Sequence, residues 1–149
     1  MKSLFDANDY AEIVSRIEKF QPNSPRLWGK MDASQMLAHC NGAMKIAVGD
    51  MKLKRIFIGR LLGGIFKKKF LGEKPLDKNS PTAKQIVIID EREFEKEKAE
   101  LLSLVKRFHE GGEKKATTHP HSFFGHLTPK EWGTSQWKHL DHHLSQFGA

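Results

Sequence analysis

Apolar residues recur at intervals of three and four in four separate stretches of this chain, and each such stretch must bury one face against a neighbouring rod. The first covers about residues 8 to 20, where Tyr10, Ile13, Val14, Ile17 and Phe20 stand between charged residues until Gln-Pro-Asn-Ser-Pro at 21 to 25 stops the helix. The second starts at Asp32, followed three residues later by Gln35, a capping box. Met36, His39, Cys40, Ala43, Met44 and Ala47 follow, and Gly49 ends the run. The third is expected from about Asp90 to His109. Asp90, Glu91 and Glu93 suit its positive end, Lys106 and Arg107 its negative end, and Gly111-Gly112 closes it. The fourth has the clearest start: Thr128-Pro129-Lys130-Glu131 joins a Thr cap, a proline at the first helical position and a Glu three residues on. Trp132, Gln136, His139, Leu140, His143, Leu144 and Phe147 then fall along one broad face. Four amphipathic rods in 149 residues predict a single all-α domain, a four-helix bundle.

Between the second and third helices the pattern is weaker. Ile58, Leu61, Leu62, Ile65 and Phe66 have helical spacing, interrupted by Gly59, Gly63 and Gly64. Gln-Ile-Val-Ile-Ile at 85 to 89 is strand-like but has no partner strand, so an extended connector is expected.

Charge is concentrated in the same region. The stretch from 51 to 72 holds Lys52, Lys54, Arg55, Arg60, Lys67, Lys68 and Lys69 and no acidic residue. The chain's 25 Lys and Arg less those seven leave eighteen, which its 18 Asp and Glu balance, so the net charge of +7 belongs to one segment. That segment reads first as a crossover helix covering the bundle with a solvated basic face. The same pattern fits a helix meeting an anionic membrane surface or an acidic partner. With no helix-turn-helix and no aromatic–basic interleaving, no nucleic acid is expected as a partner. The single cysteine, Cys40, has nothing to pair with and reads as a small core residue; the opening MKSLFDANDY lacks the apolar run of a secretory signal, so the expected compartment is the cytoplasm.

Three of the eight histidines sit in HLDHH at 139 to 143. Residues four apart share a helix face, so His139 and His143 form half of a metal site; His139 with His142 is a competing pair that spacing leaves open. His39 lies one turn inside another amphipathic helix, and packing of the two helices would bring three imidazoles together. Gln35, four before His39, and Gln146, three after His143, are candidates to orient those ligands. His119, His121 and His126 lie in an aromatic loop where solvent exposure is expected, with a transient fourth ligand as the rival reading. Phe123 and Phe124 are expected to plug one end of the bundle, Trp28, Trp132 and Trp137 to pack, and Asp141 to point away from the ligands.

WGKMDASQMLAHC at 28 to 40, paired with HLDHHLSQFG at 139 to 148, resembles the DinB superfamily of helical-bundle metalloproteins, which includes the YfiT-type bacillithiol transferases and mycothiol-dependent enzymes. HPHSFFGHLTPKEW at 119 to 132 is similar to an uncharacterised branch of that superfamily. The resemblance implies a DinB-type four-helix bundle, here with an extra basic crossover segment, and one divalent ion on His39, His139 and His143. It gives His142 no ligand role. Zinc suits three imidazoles best, with nickel or iron also compatible. Three ligands leave an open position for water or substrate. The expected function is therefore metal-dependent activation of a low-molecular-weight thiol or of water, as a transferase or hydrolase acting on a small molecule. The alternative is a non-catalytic, metal-stabilised binding module whose basic segment meets the partner. Pairing into a homodimer is a further expectation.

Overall fold

The computed structural model describes residues 1–78, 80 and 82–149. Among these the chain forms five α-helices and no strand: α1 (Ala7–Lys19), α2 (Ala33–Ala47), α3 (Phe57–Leu71), α4 (Phe94–Lys115) and α5 (Pro129–Ser145), with one 3-10 turn at Lys84–Ile86. None of them is long and apolar enough to cross a membrane.

Local chemistry sets the starts of α1, α2 and α5 close to where the sequence places them. Asp6 caps α1 by accepting from the Asn8 and Asp9 amides. Both capping boxes form: the Gln35 amide donates to Asp32 at 2.8 Å while the Asp32 amide donates to the Gln35 side chain, and Thr128 and Glu131 reciprocate in the same way. Gly49, at φ +86°, turns the chain out of α2.

The helix around α4 departs from expectation at both ends. Asp90 and Glu91 lie outside it, since Arg92 draws in Asp90 and Glu97, and the first turn starts at Phe94. Gly112 breaks the helical path, at φ +59° and ψ −166°, but the chain resumes a helical course as far as Lys115.

α2 packs against α4 and α5, α1 packs against the same two helices, and α4 touches α5. Twelve of the fifteen residues of α2 are buried, which makes it the innermost rod. Its Asn41 binds both the backbone and the carboxylate of Glu97 on α4, at 3.0 and 2.8 Å, so the buried acid of that interface has a neutral amide partner. Leu101, Val105, Leu140, Leu144, Ile13 and Ile17 complete the core with Met36, Leu37 and Met44.

α3 forms in spite of its glycines, and their role is steric. A Cβ on Gly59 would lie 2.6 Å from the Phe123 carbonyl oxygen, and one on Gly63 would collide with the same oxygen. The two glycines let the loop backbone lie directly on the helix. Lys138 on α5 reaches the carbonyls of Gly72 and Lys74 and ties down the end of α3. The side chains of α3 do not cover the bundle as expected: Phe57, Ile58, Leu61, Leu62 and Ile65 are exposed, and only Leu71 at its end packs against the core. Phe123 and Phe124 are half-buried and pack on Phe66 and Phe70 of this helix. The strand-like residues 85 to 89 begin in the 3-10 turn, whose Ile86 is buried, and then run extended.

Candidate metal centre

Burial of one face of α2 carries His39 inward, and burial of the broad face of α5 does the same for His143, with His139 half-buried beside it. The three rings meet between the two helices. Their centroids stand 5.0 Å apart for His39–His139 and 4.6 Å apart for the other two pairs. One nitrogen from each lies within 4.8 Å of the others, a group that could hold a metal ion.

The surrounding hydrogen bonds decide which nitrogens are free. The Ile86 carbonyl can only accept, so the 2.8 Å contact with His39 Nδ1 puts a proton on that nitrogen and leaves Nε2 with a lone pair. Gln146 is oriented by its own neighbour: its amide group donates to the Trp28 carbonyl at 2.7 Å, which turns Oε1 toward His143. His143 Nδ1 therefore donates to Oε1, at 3.0 Å, and again Nε2 is left with a lone pair. His139 Nε2 faces His39 Nε2 at 3.0 Å, and its Nδ1 is buried with no partner among the described residues.

Two imidazole nitrogens on one tetrahedral zinc, each about 2.05 Å from it, stand roughly 3.3 Å apart. The observed 3.0 Å is close to that value. Without a cation, at most one proton can lie between His139 and His39, and the His143 lone pair points into the same electron-rich space. The donor set fits a divalent ion.

Electrostatics favour the neutral, ligating form. Burial lowers the pKa of His39, against a smaller opposing effect of the Ile86 carbonyl. Burial, reinforced by His143 and His39, holds His139 well below the usual imidazole range. Burial and the nearby His39 push His143 down to about 3. All three lone pairs are available at neutral pH.

The other candidates fall outside this centre. His142 turns its ring toward Trp28, 5.8 Å away edge-on, and Lys78 sits over the same indole at 4.3 Å. Gln35 does not reach the histidines, because its oxygen accepts from Asp32 and its nitrogen donates to the Asp90 carbonyl. Cys40 is buried beside Met36 with its thiol pKa pushed up by burial. Asp141 points away to Arg16, at 2.7 Å. Trp132 and Trp137 are buried, while Trp28 is half-buried at the rim. The loop histidines differ from expectation: His126 is exposed, but His119 is half-buried against the Leu53 carbonyl. His121 is half-buried as well, stacked on Phe124, and accepts at Nδ1 from the Phe123 and Phe124 amides.

The Ile86 carbonyl is the part of the centre that sequence reasoning missed. It reaches His39 because Gly42, one turn further along α2, has no side chain: a Cβ there would sit 2.5 Å from Ile86 Cγ2. Two clefts of about 310 and 510 Å³ lie elsewhere on the surface, and neither is lined by the three histidines.

Removal of the Gln146 side chain is expected to weaken metal binding about 10- to 100-fold, because His143 loses the acceptor that fixes its tautomer. Zinc titration of Gln146→Ala against the parent measures this. Gln146→Glu, which keeps an acceptor on His143 but cannot donate to the Trp28 carbonyl, is expected to fall between the two.

No curated protein and no solved structure matches the chain. Residues 2–149 match the family described as protein of unknown function DUF1569, and the chain belongs to that family.

Proposed function

We propose that this protein is a metal-dependent enzyme of the DinB and YfiT-like kind, with one divalent ion on His39, His139 and His143 serving a reaction of a low-molecular-weight thiol or of water. The observation that carries the reading is the meeting of three imidazoles, two buried and one half-buried, from two separate helices, with their nitrogens within 4.8 Å of one another. The pairwise packing of α1, α2, α4 and α5 supports a bundle of the DinB type. Zinc is the proposed ion, since three imidazoles and an open fourth position suit it.

Bound there, a divalent ion lowers the pKa of a coordinated water or thiol toward neutrality and so supplies a nucleophile. The protein's own residues prepare that position. The Ile86 carbonyl and Gln146 hold two of the rings in the ligating tautomer. Burial keeps the imidazoles neutral, and the ammonium of Lys78 stands over Trp28 beside His142, where it can meet an anionic group of a small substrate.

Elemental analysis of the purified protein, followed by assays of thiol addition to a model electrophile and of ester hydrolysis, tests this. Each single His→Ala change at the three positions is expected to abolish both metal content and turnover. Full activity in metal-free protein would defeat the proposal. Strong stabilisation by metal with neither activity would favour a metal-stabilised binding module instead.

A further inference from the structure

The outward side of α3 is an uncovered apolar surface. Phe57, Leu61 and Ile65 are 75, 65 and 69% exposed, and Ile58, Leu62 and Phe66 beside them are exposed too. At 3.6 residues per turn these six residues cover about half of the helix circumference. Gly59 and Gly63 lie against the Phe123 backbone, and Phe57, Leu61 and Ile65 are turned away from that contact. The side of the helix centred on Leu61 therefore faces away from the protein, with Phe66 at its edge against Phe123, and a continuous exposed patch of this kind marks a surface that meets something.

Charge says what it meets. No acidic residue lies between Met51 and Gly72. Among the described residues Lys52, Lys54, Arg60 and Lys68 have no carboxylate within ion-pairing distance, while Lys67 and Lys69 pair with Glu131 and Asp77. Near the start of the segment that leads into α3, a cleft of about 510 Å³ adds Lys114, Lys115, Thr117 and Thr118 to Lys52, again without an acid. A second copy of the chain on this face would set like charges against one another. A lipid interface answers both features, with acyl chains for the six apolar side chains and phosphates for the free cations. Fifteen residues are too few to span a bilayer, so the helix would lie flat.

We infer that α3 docks this protein on an anionic membrane surface, with Phe57, Leu61 and Ile65 entering the acyl boundary and Lys54, Arg60 and Lys68 meeting lipid phosphates. The docking is independent of the metal centre.

Co-sedimentation of the full chain with phosphatidylcholine vesicles, with and without phosphatidylserine, tests it. Binding is expected only to the vesicles containing phosphatidylserine and is expected to weaken as salt is raised. Arg60→Glu with Lys68→Glu is expected to weaken it about fivefold or more per cation changed. Leu61→Glu with Ile65→Glu is expected to abolish it; both positions are exposed, and a melting curve matching the parent shows that the variant folds. The inference is overturned if the chain ignores anionic vesicles, or if the Leu61 and Ile65 variant binds them as well as the parent does. It is equally overturned if sedimentation velocity shows these substitutions dissolving a dimer in protein that does not bind lipid, or if the chain binds polyglutamate but not vesicles.

Discussion

His139→Ala is expected to lose about a hundred- to ten-thousandfold in zinc affinity, because a binding free energy of about 10–16 kcal/mol shared among three or four ligands assigns each about 3–5 kcal/mol. A thermal melt with and without zinc reads the loss directly. At zinc concentrations a thousandfold above its dissociation constant, the parent should gain about 4 kcal/mol. For a domain of this size, each kcal/mol moves the midpoint by about 2–4 °C, so the gain amounts to roughly 8–16 °C. The variant should show little or none of it. In chelator the two proteins should differ less, since the variant then loses only the packing of the ring and its Nε2 contact with His39, Nδ1 having no partner among the described residues. A parent whose melt is indifferent to every divalent ion tried would remove the centre from consideration, whatever the rings' proximity.

Acidification of metal-free protein should unfold it through its buried imidazoles. His143 and His121 are pushed down to about 3 and about 4, the first by burial and His39, the second by burial and the charge of Arg55. In the unfolded chain each has a pKa near 6.5, so between these values the unfolded state binds the proton and the native state does not. Stability is thus full above about pH 6.5 and falls as pH drops, by about 1.4 kcal/mol per pH unit for each such group. The decline stops for each group only once its native pKa is reached, about 4 for His121 and about 3 for His143. Urea midpoints across a series of buffers from neutral to acid measure the slope. His121→Phe, which removes one of these groups but none of the three ligating imidazoles, is expected to make it shallower. A flat profile over this range would show that protons reach these rings without unfolding.

Four of the helices and the pairing of His139 with His143 were legible in the sequence because both follow from fixed periodicities, and the packing of α2 on α5 brings His39 to that pair. Four-residue spacing brings His139 and His143 to one side of a rod whatever surrounds it, and the same geometry puts Gln146 within reach of His143. Gln35 failed as a companion to His39 for a reason already present in the sequence. The capping box it forms with Asp32 uses its oxygen, and the Asp90 carbonyl takes its nitrogen. One side chain had been assigned two roles that compete for the same atoms. Of the loop histidines only His126 is exposed as loop composition suggests, whereas His121 and His119 are drawn in by backbone groups that no spacing rule counts. α3 was obscured by Gly59 and Gly63, which lower helix propensity; the compensating contact with Phe123 is tertiary and leaves no local pattern. The outward direction of its apolar side chains follows from that contact.

The pairing of Ile86 with Gly42 determines how this centre can drift over evolutionary time. The atom that steers His39 is a peptide oxygen, which every amino acid carries, so position 86 can change its letter without deleting the steering group. The constraint falls on the two positions together: a methyl added at position 42 would meet Ile86 Cγ2 at 2.5 Å, so it needs a smaller side chain at position 86 or a wider gap between the two segments. A descendant with a smaller side chain at position 86 would therefore be free to acquire alanine at Gly42 while the peptide oxygen still steered His39.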